Sequence, residues 1–153
     1  MRASPIPSLA MPGLVEAIHV SPAKSELPHA VESVNVTAEG VEGDRYFGAR
    51  DLTLIEAEAL EGLREDTGLE LSPAEVRRQV LTRGVPLNDL VGKTFTVGGV
   101  ECVGQEWCEP CNHLQGLTYP GVLRGLVHRG GLRADIVSGG RIAVGDEVKA
   151  APA

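Results

Sequence analysis

A mostly-β fold, a β-barrel with two or three short α-helices, is what this 153-residue sequence predicts. Three observations carry the prediction. Nineteen glycines and ten prolines interrupt the chain, and only two Phe, two Tyr and one Trp are available as aromatic core residues. Between the interruptions lie short valine-rich runs of strand length, too brief for long helices. Two late segments also read as strand, glycine turn, strand. These are Thr94–Val97 with Gly98-Gly99 and Val100–Val103, and Leu132–Val137 with Ser138-Gly139-Gly140 and Arg141–Val144.

In chain order, Pro5, Pro7 and Pro12 mark an extended N-terminal arm, and Val15–Val20 is a first strand closed by Ser21-Pro22. A loop over Lys24–His29 leads to a second strand carrying Val31, Val34 and Val36. Gly40, Gly43 and Gly48 then punctuate a long loop before the buried-type strand Leu52–Ile55. Glu56–Thr67 predicts a helix, with Leu60 and Leu63 one turn apart, acidic residues in its first turn and Gly68 at its C-terminal cap. Ser72-Pro73-Ala74-Glu75 has the pattern of a capping box with proline at the first helical position. It predicts a short helix fading near Arg78 into a strand through Val80-Leu81. A further short helix is expected near Val122–Val127.

The formal charge is −7, which argues against a protein that grips nucleic-acid backbone by overall charge. No apolar run approaches the ~20 residues needed to cross a bilayer, so no membrane partner is expected. The N-terminus lacks the basic cluster and apolar stretch of a secretion signal, which makes the cytoplasm the expected location. In that reducing compartment the three cysteines are expected as thiols.

The densest reactive cluster is Cys108-Glu109-Pro110-Cys111-Asn112-His113. A structural zinc site would need more ligands, and Cys102, His128, His29 and His19 form no second pair. A thioredoxin-like redox pair belongs before a helix in a βαβ setting, whereas the flanks here read as strand and Gly/Pro loop. A zinc deaminase is excluded, because Pro110 falls between the cysteines and the chain has no H-x-E. The remaining reading is a single functional thiolate, a metal ligand or sulfur carrier, set against simple packing. Packing is favoured for Cys102, and both readings stay open for Cys111.

Two arginine-bearing segments could meet an anion. Gly43-Asp44-Arg45-Tyr46-Phe47-Gly48 lets backbone approach a ligand closely and offers the Arg45 fork, or is an ordinary turn with a solvated ion pair. Arg77-Arg78-Gln79-Val80-Leu81-Thr82-Arg83-Gly84 concentrates three cations in an acidic protein. It suits a phosphate, or salt bridges to the Glu-rich helix over residues 56–65.

Taken in order, Gly43-Asp44-Arg45, Leu52–Glu56, Arg77–Gly84, Val85–Leu90, Pro110-Cys111 and Gly139–Asp146 resemble a MOSC domain. That module is found at the C-terminus of molybdenum-cofactor sulfurases, in small stand-alone bacterial proteins and in molybdenum-dependent hydroxylamine-reducing enzymes. The resemblance divides the chain into an N-terminal arm over 1–14, a MOSC domain over 15–148 and a C-terminal tail over 149–153. It implies a β-barrel-based fold and a cysteine that ligates molybdenum or carries persulfide sulfur, a position matched by Cys111. Arg77 and Gln79 fall where relatives set an Arg and an Asn against the pterin-phosphate ligand, Gln79 being one methylene longer. Asp44 and Arg45 match the loop motif, and Tyr46 replaces the histidine common there.

What the resemblance implies about function takes two forms. In one, the chain binds the molybdenum cofactor with Cys111 on the metal and Arg77 and Arg83 at the phosphate end, and reduction of N-hydroxylated compounds is its most concrete activity. In the other, it is a non-enzymatic sulfur carrier that passes persulfide sulfur through Cys111 to a metal–sulfur centre. With only Lys24, Lys93 and Lys149 as candidate Schiff-base residues, no pyridoxal phosphate site is expected within the chain. The expected partner is therefore a cysteine desulfurase or an electron-transfer protein.

Overall fold

The computed structural model describes residues 13–23, 26–109 and 112–151. Strand β1 (Gly13–Val20) pairs with β2 (His29–Val31) and with β6 (Val80–Arg83). The remaining strands are β3 (Ser33–Thr37), β4 (Gly40–Val41), β5 (Asp51–Glu56), β7 (Thr94–Val97), β8 (Val100–Trp107), β9 (Leu132–Ser138), β10 (Gly140–Ala143) and β11 (Glu147–Ala150). Seven of them close a barrel in the order β1-β11-β7-β8-β9-β5-β6, with β6 returning to β1 and β2 attached outside the ring. Strands β10, β3 and β4 form a separate small sheet.

Every pairing in the ring is antiparallel except β5 with β6. Parallel neighbours cannot be joined by a tight turn, and the crossover here carries helices α1 (Ala57–Thr67) and α2 (Pro73–Val76). Both end as expected from their residues. Gly68 takes the left-handed conformation at φ 78° and donates its N–H to the Arg64 carbonyl. At α2, the Glu75 N–H donates to Ser72 Oγ at 3.2 Å and the Ser72 N–H to Glu75 Oε1 at 2.9 Å. That helix stops at Val76, because Arg77 itself adopts φ 61°. Helix α3 (Asn112–Leu117) was not foreseen, and α4 (Val122–Gly125) occupies the expected segment.

Strand alternation divides the apolar residues between two cores. Val15, Leu52, Leu54, Val80, Phe95 and Leu132 fill the barrel interior. Ile55 and Leu81, one position on in their strands, face outward and pack with Leu63, Val76, Leu114, Val122 and Leu126 of the helical layer. The unbroken apolar pairs Leu54-Ile55 and Val80-Leu81 are thus the mark of strands covered on both faces.

Two expectations are corrected. The single strand through Val31, Val34 and Val36 is split at Glu32, with β2 on the barrel and β3 in the small sheet. The second glycine segment is not a hairpin, since β9 pairs with β8 and β5 whereas β10 pairs with β3. Its glycines serve close approach. A β-carbon on Gly139 would overlap the Val36 carbonyl, and one on Gly140 the Gly99 carbonyl. The Gly98-Gly99 turn does close β7 onto β8, with Val97 opposite Val100.

Gly104 in β8 lies where any β-carbon would overlap the Leu90 carbonyl, backbone that cannot swing aside. Gly104→Ala should therefore destabilise the protein by about 1–3 kcal/mol, read as a lowered denaturation midpoint at unchanged slope.

Candidate functional site

On the outer face of the barrel, adjacent strands β1, β6 and β5 present His19, Gln79, Asp51 and Thr53 beside the outward-facing Leu81 and Ile55. The loop after β4 and helix α3 rise around them and enclose a cavity of about 230 Å³. Its wall includes Asp44, Arg45 and Tyr46 from the loop, Arg77 and Arg78 from the turn into β6, and Leu114 and Leu117 from α3.

Loop and barrel are joined by a buried hydrogen-bond chain. Asp44 Oδ1 accepts from the Ser21 N–H at 2.8 Å, and Oδ2 accepts from the Tyr46 N–H at 3.2 Å and from Gln79 Nε2 at 3.1 Å. Gln79 Oε1 in turn accepts from the Thr53 N–H at 2.9 Å. Asp44 is thereby an anchor, and Gln79 has both ends of its amide committed inside the protein. Its extra methylene relative to asparagine is what spans from β6 to the loop.

The arginines are arranged differently from one another. Arg78 Nε donates to the Gly130 carbonyl at 2.9 Å, with further donation to Val76 and Cys108 carbonyls at 3.3 Å. Carbonyls leave its positive charge uncancelled. Arg45 is held by its neighbour, Nη2 donating to Tyr46 Oη at 2.6 Å with the guanidinium 4.4 Å from the ring centre. Its Nε is buried without a hydrogen-bond partner. Arg77 makes no ion pair among the described residues. Three cations without carboxylate partners on one concave surface, one with an orphaned buried donor, fit the oxygens of a phosphate group.

Arg83 is the correction within this set. It lies at the far end of β6 from the cavity, where Nη2 is 2.6 Å from Glu61 Oε2 and Nε pairs with Glu16. Residues alternate along a strand, so Arg83 shares the outward face of Leu81, but it borders a separate recess with Glu16 and Glu61 that holds it in salt bridges. Cys111 and Pro110 lie outside the described residues, as do Lys24 and residues 1–12.

The chain leading to Cys111 is pinned. The Cys108 N–H donates to the Gly131 carbonyl at 2.8 Å, and Glu109 Oε1 accepts the His128 N–H at 2.7 Å. Burial pushes the Cys108 thiol up, opposed by Arg78 and Arg133. Cys102 is fully buried in the barrel core with its thiol pushed up to about 12, a packing residue. Among the described residues, no three His, Cys, Asp or Glu are grouped to hold a metal ion. No helix among them is long and apolar enough to cross a membrane.

Sequence reasoning did not place His19 and Asp51 in this site. Burial pushes the Asp51 carboxyl up, with Arg133 acting against it, and lowers the His19 imidazole. A signal for His19 existed in its position between Ile18 and Val20, which puts it on the opposite face of β1 from the barrel core.

The structure is thus a closed barrel with a cation-lined cavity on its outer wall. The chain belongs to the MOSC domain family, whose model matches residues 18–149, a family associated with molybdenum cofactor binding. Comparison with curated proteins finds no match. Among solved structures, YuaD from Bacillus subtilis is similar at TM-score 0.81 and 16% identity, covering 92% of this chain and 96% of that one. YiiM from Geobacillus stearothermophilus aligns at TM-score 0.76 and 16% identity, over 92% of this chain and 76% of its own. YiiM from Escherichia coli gives 0.68 and 16%, over 93% and 69%. These likenesses establish the shared fold.

Two predictions follow from the geometry. Gln79→Leu removes the donor to Asp44 and the acceptor for Thr53, and should cost about 2 kcal/mol in denaturant unfolding. The unfolded chain protonates His19 near its ordinary value of 6.5, whereas the folded chain resists. The folded state therefore loses stability as pH falls through the window below 6.5. Wild type should lose stability relative to His19→Gln from pH 7.5 to 5.5 in matched unfolding curves.

Proposed function

We propose that this chain binds the molybdenum cofactor, with the Cys111 thiolate as ligand to the metal and the cavity arginines at the phosphate end. The observation that supports this most directly is the convergence of Arg45, Arg77 and Arg78, without carboxylate partners, on one cavity in a chain of net charge −7. The described residues on either side of Cys111, Cys108 and the helix carrying Leu114 and Leu117, border the same region. A soft thiolate is a suitable ligand for a metal of this kind.

In this reading Arg77 and Arg45 hold the phosphate oxygens directly, and Tyr46 holds Arg45 in place. Arg78 clamps the Cys108 carbonyl while adding its charge. Gln79 and Asp44 keep the loop seated and do not touch the ligand, unlike the Asn that relatives use. The cofactor, when bound, supplies a two-electron redox centre. The activity we assign to the loaded protein is reduction of N-hydroxylated compounds, with electrons delivered by a partner protein.

The test is elemental analysis of gently purified protein from cells that make the cofactor. Wild type should carry molybdenum, and Cys111→Ser should lose it. Arg77→Gln should weaken retention roughly tenfold, the scale of one charged hydrogen bond, while Arg83→Gln retains the metal. Absence of molybdenum from wild type, with a sulfur mass increment on Cys111 after treatment with cysteine desulfurase and cysteine, would replace cofactor binding by sulfur delivery.

A further inference from the structure

His19 is the buried titratable group that the cofactor-binding reading leaves unused. It is 8% exposed, and its backbone N–H donates to the Gln79 carbonyl at 2.8 Å. Its ring lines the cavity, and no described residue is hydrogen-bonded to either ring nitrogen.

The charged and titratable groups around that cavity come from three elements. The loop after β4 contributes Asp44, Arg45 and Tyr46, β5 contributes Asp51, and the turn into β6 contributes Arg77 and Arg78. Described α3 residues add only Leu114 and Leu117. The Asp44 carboxylate is already occupied by three N–H donors, and Asp51 sits 3.8 Å from Arg133 Nε. Neither carboxylate is therefore a ready partner for an imidazolium. Burial lowers the imidazole from its ordinary value, so without a ligand the ring resists protonation.

A doubly charged oxyanion supplies the partner that the cavity lacks. Held by the cavity arginines, it offers the imidazole N–H an acceptor of opposite charge. We propose that His19 takes up one proton from solvent when an oxyanion of the phosphate class enters this cavity, so that anion binding strengthens as pH falls. This rests on the reading of the cavity as the seat of a phosphate group. It adds that His19 selects dianions over monoanions and makes loading of the site proton-dependent.

Sulfate is a suitable probe, because it does not itself titrate between pH 5.5 and 8. Calorimetric titration of the full chain at pH 6 in two buffers of different ionisation enthalpy counts the protons taken up. Wild type should bind sulfate with heats that depend on the buffer and correspond to a substantial fraction of one proton. Its affinity should fall with rising pH, at most tenfold per pH unit. Arg77→Gln should weaken the binding, which places the anion in this cavity. His19→Gln should bind with buffer-independent heats and a flat pH profile. Sulfate binding by wild type with no proton exchange would overturn the role of His19 and leave the anion site standing, as would proton uptake that persists in His19→Gln. No sulfate binding by wild type would overturn both. The wild-type proton count decides the matter even if His19→Gln fails to fold.

Discussion

The parallel pairing of β5 with β6 is the constraint on which the rest of this molecule depends. Two parallel neighbours require a long crossover, and here it carries α1 and α2 over the outer surface of the barrel. That placement buries Ile55 and Leu81 on the outside while Leu54 and Val80 remain inside. It also delivers the chain back to β6 through Arg77, whose left-handed backbone ends α2 and turns the next residues onto the strand. The cavity lies where the helical layer stops short of covering β1, β6 and β5, so the same crossover that completes the barrel leaves a recess on its outer wall.

Within that recess the polar groups divide into those that hold the structure and those available to a ligand. Asp44 and Gln79 are both buried, and each makes hydrogen bonds that join the loop to the barrel. Leaving any of these groups unpaired in such a site would be costly, which explains why they are mutually satisfied. Arg45 and Arg77 are the reverse case, cations whose nearest partners leave their charge intact. An acidic protein with a locally uncancelled positive surface concentrates anions there without attracting polyanions to its whole surface.

Much of the architecture was legible from local chemistry. The capping box at Ser72–Glu75, the left-handed Gly68 and the two-residue turn at Gly98-Gly99 are decided by residues within a few positions of one another. The Ser138-Gly139-Gly140 segment carries a similar local pattern yet closes no hairpin. Its glycines answer to distant backbone at Val36 and Gly99, which no local pattern reveals. The helix Asn112–Leu117 escaped for a related reason, since Leu114 belongs to a helical core assembled from residues 55–81 and 122–126 as well.

The sequence by itself determined the strand-rich class, the positions of most elements and the ordered motifs that mark the MOSC family. It also singled out Arg45 and Arg77, because arginines clustered in an acidic chain stand out in any linear reading. Only the tertiary structure decided which cations share a surface. Arg83, six residues from Arg77, is drawn away by Glu16 and Glu61. His19, fifty-eight positions before Arg77 by subtraction of their numbers, is brought to the same cavity because β1 and β6 pair. The physical reason is that charge and burial depend on distance in space, and strand pairing sets that distance without regard to separation along the chain.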